Sequence, residues 1–396
     1  RFSINWSTVE DSTGAFHWNY VDQTIHGLKS LGIEPYVCLH GGHPVHTKLN
    51  PPVTDQQIQH WSRFVDSFCT RFRQKIKYYE IWNEPNYPSF WKPAPDATAY
   101  VNLVKTSAEI IRNHRSDAII LGGSTARLDF PYARQLFKEG IANYIDVFTI
   151  HPYNAIPEGM LKKIPYPVKT PAYYLPSSNQ IQELKKLIQS YSTKINIWQA
   201  ECGYPSGANS HGWQGTGPWG DTIQSKWILR RALTDLAGGC HISAYFALSE
   251  FKLDPSDKKT NRKGLVKLHS MENKHAYFTY QKLNSVFNGK VVIKESKKYA
   301  FEITKQGSFP GFSGDDIIVM DISCENGNFL AYWLPVRMQE NTIPATVKIS
   351  KEKLTRDPVL LDLTTGKIYQ CNSKNDDLLL PLNDYPFFIG ENRILR

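Results

Sequence analysis

The chain has 396 residues, 41% apolar and 21% charged, which is globular composition, and no apolar run approaches the ~20 residues that cross a bilayer. A formal charge of +9 is scattered along it, with only short clusters such as Lys258-Lys259 and Lys297-Lys298. A nucleic-acid footprint needs a basic stripe on one element, so that class is excluded along with a membrane span, and the length predicts a large domain with a smaller partner.

Over the first three quarters, β-type runs alternate with amphipathic helical stretches, the pattern of parallel strands joined by crossover helices. The predicted strands cover residues 1–7, 33–40, 77–82, 118–122, 145–151, 195–200 and 241–248, apolar enough to be buried on both faces. Val21, Ile25, Leu28 and Leu31 recur at helical spacing, and Gly32 stands where a C-terminal cap belongs. Thr54 and Gln57 have capping-box spacing ahead of a face built from Ile58, Trp61, Val65, Phe68 and Phe72. Val101, Val104, Ala108 and Ile111 make the next stripe; Ile181, Leu184 and Leu187 follow, and Ile228, Ala232 and Leu236 lead into Gly238-Gly239. After a polar loop over 252–274 and a helix over 275–287 the texture changes at Asn288-Gly289. Short strands at 291–293, 317–322, 329–334, 346–349, 359–363, 367–370 and 378–382 are separated by turn signals such as Glu325-Asn326-Gly327-Asn328 and Thr365-Gly366. The expected fold is α/β: a (β/α) barrel over residues 1–288, then an antiparallel β-sandwich over 289–396.

Six cysteines are dispersed without a CxxC pair or metal-ligand spacing and read as mostly free and buried. Asn5-Trp6-Ser7, the one N-glycosylation pattern, falls in an apparent core strand. The chain begins at Arg1 rather than Met and is read as a processed product or a fragment. It is expected to be soluble, and secreted or periplasmic if a targeting segment lies upstream; the compartment itself is not legible.

The strongest chemical signal is Glu80-Ile81-Trp82-Asn83-Glu84-Pro85-Asn86 at the end of the third predicted strand. There an amide, a carboxyl group and a proline stand where barrel enzymes keep catalytic groups, and Pro85 restrains the backbone of Glu84. The second signal is Ile195 to Tyr204, where another apolar strand delivers Glu201, with Gly203 after it to let the chain turn. Either glutamate alone reads equally well as a surface carboxylate near a turn. Two carboxylates on different strands at one barrel mouth are the minimum kit for glycoside hydrolysis.

On these residues the sequence resembles the clan A glycoside hydrolases, most closely the family of β-xylosidases and α-L-iduronidases. The resemblance is carried by Arg1 and Trp6, by Asn83-Glu84-Pro85, by His151 and Tyr153 in "IHPYN", and by Glu201 in "QAECGY". It implies a retaining glycosidase with Glu84 as acid/base and Glu201 as nucleophile, Asn83 on the sugar hydroxyl beside the anomeric carbon, and Arg1 orienting or tuning Glu201. In such enzymes the two glutamates close strands four and seven of a (β/α)8 barrel. Here they close visible strands three and six, so the first strand is expected upstream of Arg1, missing or replaced. No metal or organic cofactor is implied.

Strand-end position makes His151 and Tyr153 candidate sugar contacts, and His40 and His43 end the second strand without a third ligand for zinc. Trp213 and Trp219, on a polar loop, suit stacking on sugar faces or packing on the rim. Glu250, Trp82, Trp91 and Trp198 are further lining candidates, and Cys202 reads as a passive buried thiol. The expected partner is an oligosaccharide or polysaccharide, acidic if the positive charge steers it. A carbohydrate-binding barrel without turnover, and a transglycosylase using the same glutamates, are the alternatives.

Overall fold

A computed structural model of the chain describes residues 1–153, 157–160, 180–207, 220–253, 260–350, 354, 357–371, 373–374 and 377–391. All seven predicted barrel strands are present: β1 (Phe2–Asn5), β2 (Tyr36–His40), β3 (Tyr78–Ile81), β4 (Ile119–Ala126), β5 (Val147–His151), β6 (Asn196–Cys202) and β7 (Ile242–Tyr245). They form one sheet in the order β1-β2-β3-β4-β5-β6-β7, parallel at every pairing from β1 to β6. This is a barrel wall with one strand fewer than the eight of a closed (β/α)8 barrel, so β1 and β7 are its outer strands among the described residues.

The helices between the barrel strands are α1 (Trp6–Val9), α2 (Asn19–Ser30), α3 (Asp55–Phe72), α4 (Ala97–His114), α5 (Phe130–Lys138), α6 (Gln180–Gln189) and α7 (Asp221–Gly238), and α8 (His275–Val286) follows the last strand. The start of α3 is the capping box expected from Thr54 and Gln57, and Trp61, Val65, Phe68 and Phe72 are buried along it. After α2, Gly32 takes φ 71, the left-handed backbone a C-terminal cap requires. Several strand ends move: β2 starts at Tyr36 rather than at 33 and β7 stops at Tyr245 rather than at 248, and two further changes bear on the site. The first strand stops at Asn5, whose side chain accepts from the Ser7 amide and caps α1, so Trp6 and Ser7 are helical and Trp6 is fully buried. The fourth strand runs on to Ala126 because a bulge between Gly122 and Thr125 shifts its register against β5.

A short antiparallel pair, β8 (Phe251–Lys252) and β9 (Thr260–Asn261), falls in the polar loop. Beyond α8 come β10 (Val292–Glu295), β11 (Glu302–Lys305), β12 (Ile318–Cys324), β13 (Gly327–Trp333), β14 (Ala345–Ser350), β15 (Pro358–Asp362), β16 (Lys367–Gln370), β17 (Ser373–Lys374), β18 (Asp377–Leu382) and β19 (Phe387–Glu391). They make two antiparallel sheets, β10-β12-β13-β19-β15-β16 and β11-β14-β18-β17. Val319, Leu330, Tyr332, Leu360 and Ile389 of one sheet meet Val347, Ile349 and Leu380 of the other in a single apolar core, the expected sandwich.

The chain divides into two compact units: Arg1–Tyr153, Ile181–Glu201 and Cys240–Ala244 form one, and Asn154–Gln180, Cys202–Gly239 and Tyr245–Arg396 the other. Cys38, Cys69, Cys202 and Cys240 are free and buried; Cys324 and Cys371 are free and half-buried. No described helix is long and apolar enough to cross a membrane.

Candidate active site

Glu84 follows β3 in a strained segment. Trp82 and Glu84 take φ of 69 and 46, left-handed conformations that non-glycine residues adopt at a cost of roughly 1–3 kcal/mol each. The Trp82 amide donates to Leu39 O at 2.8 Å and the Glu84 amide to Ser124 O at 2.9 Å, so neighbouring strands hold the conformation. Pro85 therefore does not leave Glu84 extended, the conformation a following proline ordinarily favours. The acceptor on Ser124 exists because of the β4 bulge: Gly123, at φ 93, packs its Cα side onto the Phe148 ring, and a Cβ there would come within 2.7 Å of that ring. Ser124 itself sits at φ 42.

Glu201 is the penultimate residue of β6, one before Cys202. Its Oε2 accepts from Arg1 Nη1 at 2.5 Å, and its Oε1 accepts from the Tyr153 hydroxyl at 2.8 Å. Glu84 Oε1 lies 3.0 Å from His151 Nδ1, and His151 Nε2 lies 3.4 Å from Ser124 Oγ. One ligand-type atom each from Glu84, His151 and Glu201 all fall within 4.8 Å of one another. Both glutamate side chains retain 13% exposure and that of Arg1 10%, while His151 has none, so both glutamates remain reachable from solvent.

Arg1 ties the cluster together. Besides Glu201, its Nε donates to Glu80 Oε2 at 2.5 Å and its Nη2 to Asn83 Oδ1 at 2.7 Å, with Cys38 Sγ 3.3 Å away. Glu80 is fully buried. Burial pushes its carboxyl up, but the Arg1 guanidinium, then His151 and the Thr149 hydroxyl, outweigh burial and hold it below its usual value. The Cys38 thiol beside it is pushed up by burial, so it stays protonated. His40, half-buried at the end of β2, is pushed down to about 4 by burial and the Arg1 charge, against the pull of Glu80 and Glu201.

Six of the sequence-predicted residues thus converge: Arg1, Asn83, Glu84, His151, Tyr153 and Glu201, with His40 in the field of the same charges. Glu250 belongs to the second compact unit, where it is buried, pairs with Lys274 Nζ at 2.6 Å and accepts from the Leu268 amide. Trp213 and Trp219 lie outside the described residues. Trp82 and Trp91 are buried against each other, ring centroids 5.4 Å apart, and Trp198 packs on Tyr36 and Tyr78. Three participants were missed: Glu80, Thr149 and Ser124. Glu80 carried a signal, an acid inside an otherwise apolar strand, whereas Ser124 depends on a bulge that no local pattern announces.

A second group of ligand-type atoms, from Glu10, His43 and His46, is also within 4.8 Å of one another. The protein already uses these atoms: His43 Nε2 faces Glu10 O, its Nδ1 accepts from the Val45 and His46 amides, and the Glu10 carboxylate accepts from Trp6 and Arg63.

The family model for glycosyl hydrolases family 39 matches residues 3–315. A search of curated protein sequences gives no match. Among solved structures, a family 39 glycoside hydrolase from Bacteroides cellulosilyticus WH2 is similar at TM-score 0.72 with 18% identity, covering 99% of this chain and 75% of that one. A monomeric β-xylosidase from Caulobacter crescentus CB15 is similar at 0.57 and 15%, covering 96% and 86%. A glucosidase from Croceicoccus marinus is similar at 0.62 and 8%, covering 98% and 86%. At these identities the structures speak for the shared fold, the barrel enzyme architecture, whereas the family match runs from the first barrel strand into the sandwich. On that match, this chain belongs to glycosyl hydrolases family 39 and is a glycosidase.

Proposed function

We propose that the chain hydrolyses O-glycosidic bonds with net retention, Glu201 acting as nucleophile and Glu84 as acid/base. The observation that carries this reading is the approach of a Glu84 carboxylate oxygen to one of Glu201 within 4.8 Å. Retaining enzymes hold their carboxyl groups about 5–5.5 Å apart, whereas inverting ones need about 6.5–9.5 Å to fit a water between them.

The partners divide the roles. Glu201 receives hydrogen bonds from a guanidinium and a phenol, which favour its ionised form and aim it. Its oxygen attacks the anomeric carbon as the bond to the leaving oxygen breaks and Glu84 gives that oxygen its proton. In the second step Glu84 takes a proton from water, and the water oxygen replaces Glu201 on the anomeric carbon. His151 can serve Glu84 in both states, accepting at Nδ1 from the acid or donating there to the carboxylate, with Ser124 on its other nitrogen.

Asn83 gives its carbonyl oxygen to Arg1, which leaves its NH2 group to meet the sugar hydroxyl beside the anomeric carbon. His40 and Tyr153 are assigned to the sugar subsite, and Trp213 and Trp219 to stacking on it. Glu250 receives no such role, because Lys274 and the Leu268 amide already engage its carboxylate. Residues 1–288 are assigned to the catalytic barrel and 289–396 to the sandwich. The charge of +9 favours an anionic glycan, while the β-xylosidase among the similar structures makes an aryl β-xyloside the first substrate to try.

Glu201→Ala is expected to fold and to lose hydrolysis by a factor on the order of 10⁵. Proton NMR of the first-formed product of the native enzyme should give the anomer of the substrate. An inverted product, or a variant that still hydrolyses, rejects the assignment. Product analysis with added acceptor sugars separates hydrolysis from transglycosylation.

A further inference from the structure

Two chains of hydrogen bonds leave the buried carboxylate of Glu80. One runs from Oε2 through Arg1 to Glu201: 2.5 Å to Arg1 Nε, then 2.5 Å from Arg1 Nη1 to Glu201. The other runs from Oε1 to the Thr149 hydroxyl at 2.8 Å, and the same hydroxyl oxygen accepts the Ser124 amide at 2.9 Å. Ser124 in turn accepts the Glu84 amide and faces His151. One side chain with no solvent exposure thus stands at the root of both proposed catalytic carboxylates.

We infer that Glu80 is a positioning residue, whose carboxylate fixes the spacing of Glu84 and Glu201 and shares the Arg1 charge between itself and Glu201. This rests on the reading of Glu201 as nucleophile. Two features of the site support it. Arg1 presents one edge to Glu80 and the other to Glu201 and Asn83, so its guanidinium cannot turn without breaking the first contact. Moreover, a carboxylate that keeps a cation to itself is a weak nucleophile, because ground-state stabilisation is lost on attack. Glu80 takes part of that stabilisation away from Glu201 while leaving it ionised.

The groups facing Glu80 make the electrostatic effect readable. Arg1 is the cation beside it. Tyr36 and Cys38 on β2 and Tyr100 on α4 are pushed up by burial and stay neutral near pH 7. His151 on β5 and Glu201 on β6 complete the set, and His40 at the end of β2 is held neutral above about 4.

The test compares native enzyme, Glu80→Gln and Thr149→Val on a chromogenic aryl glycoside, with kcat and KM measured across pH. Glu80→Gln hands the whole Arg1 charge to Glu201. The acid limb of kcat/KM is expected to move to lower pH, with kcat falling roughly 10–100-fold and KM staying within about twofold. Thr149→Val cuts only the branch to Glu84, so it should lower kcat several-fold and leave the acid limb in place. A purely structural Glu80 would lower the melting temperature without moving the limb. A folded Glu80→Gln with an unmoved acid limb and kcat within twofold overturns the inference; if that variant does not fold, a Thr149→Val with native kcat overturns it instead. Labelling by a 2-deoxy-2-fluoro glycoside, located by peptide mass spectrometry, keeps the two readings apart. Label on Glu201 together with a Glu80→Gln that leaves kcat and the acid limb unchanged sinks only this inference, whereas label elsewhere sinks the nucleophile assignment itself.

Discussion

His40 shows how a single side chain at the site links to stability. Burial and the Arg1 guanidinium push its imidazole to about 4, against an ordinary value near 6.5. Between those two values the unfolded chain binds the proton and the folded one does not, so stability is full above about pH 6.5 and falls as pH drops toward 4. At about 1.4 kcal/mol per pH unit, discounted for partial exposure, the loss is on the order of 2 kcal/mol. Urea unfolding at pH 7 and pH 4.5 should give a smaller pH difference for His40→Gln than for the native chain; equal differences would reject the cause named here. The histidine was legible as a strand-end residue, but its neutrality was not, since it depends on burial in the folded chain and then on an arginine more than thirty positions away.

At the scale of elements, the turn out of β2 is set by a close approach. Gly41 takes φ 88, and a Cβ on it would meet Asn5 Oδ1 at 2.3 Å, the atom that accepts the Ser7 amide and hydroxyl at the start of α1. Gly41→Ala adds the left-handed penalty of about 1–2 kcal/mol to a disturbed cap worth about 1 kcal/mol. A loss of about 2–3 kcal/mol in chemical denaturation is expected, and one below 0.5 kcal/mol would show that the loop relaxes freely. α3, with its period and its capping box, was legible almost to the residue, and α4 was legible as a stripe but not at its ends. β19 was not legible, although it lies between β13 and β15 with Phe387 to Gly390 buried. Its sequence, Phe387 to Glu391 after Pro386, offers a short apolar run with a glycine and no alternation, because a central strand buried on both faces needs none.

At the scale of the molecule, chain order and compactness divide the protein differently. α7 lies between two barrel strands in sequence, yet it belongs to the compact unit that holds the sandwich. A fully buried arginine explains how the segments of that unit are joined. Arg230 on α7 makes two hydrogen bonds to Glu158, at 2.5 and 2.7 Å, and donates to the carbonyl oxygens of Val336 and Asp384, while Trp333 Nε1 also donates to Glu158. Removing one member strands the other charge without water, so Arg230→Met is expected to cost about 3–5 kcal/mol. The double variant Arg230→Met/Glu158→Leu should recover part of that loss. A double variant as unstable as the sum of both singles would mean that the two residues do not act as a pair.

The sequence alone determined the parallel strand and helix alternation, the sandwich at the end and the two glutamates at strand ends. Each is written in local periodicity, caps and turn residues, which act between near neighbours in the chain. Tertiary structure alone decided the distance between Glu84 and Glu201, the contacts of Glu80 with Arg1 and Thr149, and the sharing of α7 with the sandwich. Those depend on strand stagger, on one bulge in β4 and on long-range ion pairs among residues whose positions in the chain carry no trace of one another.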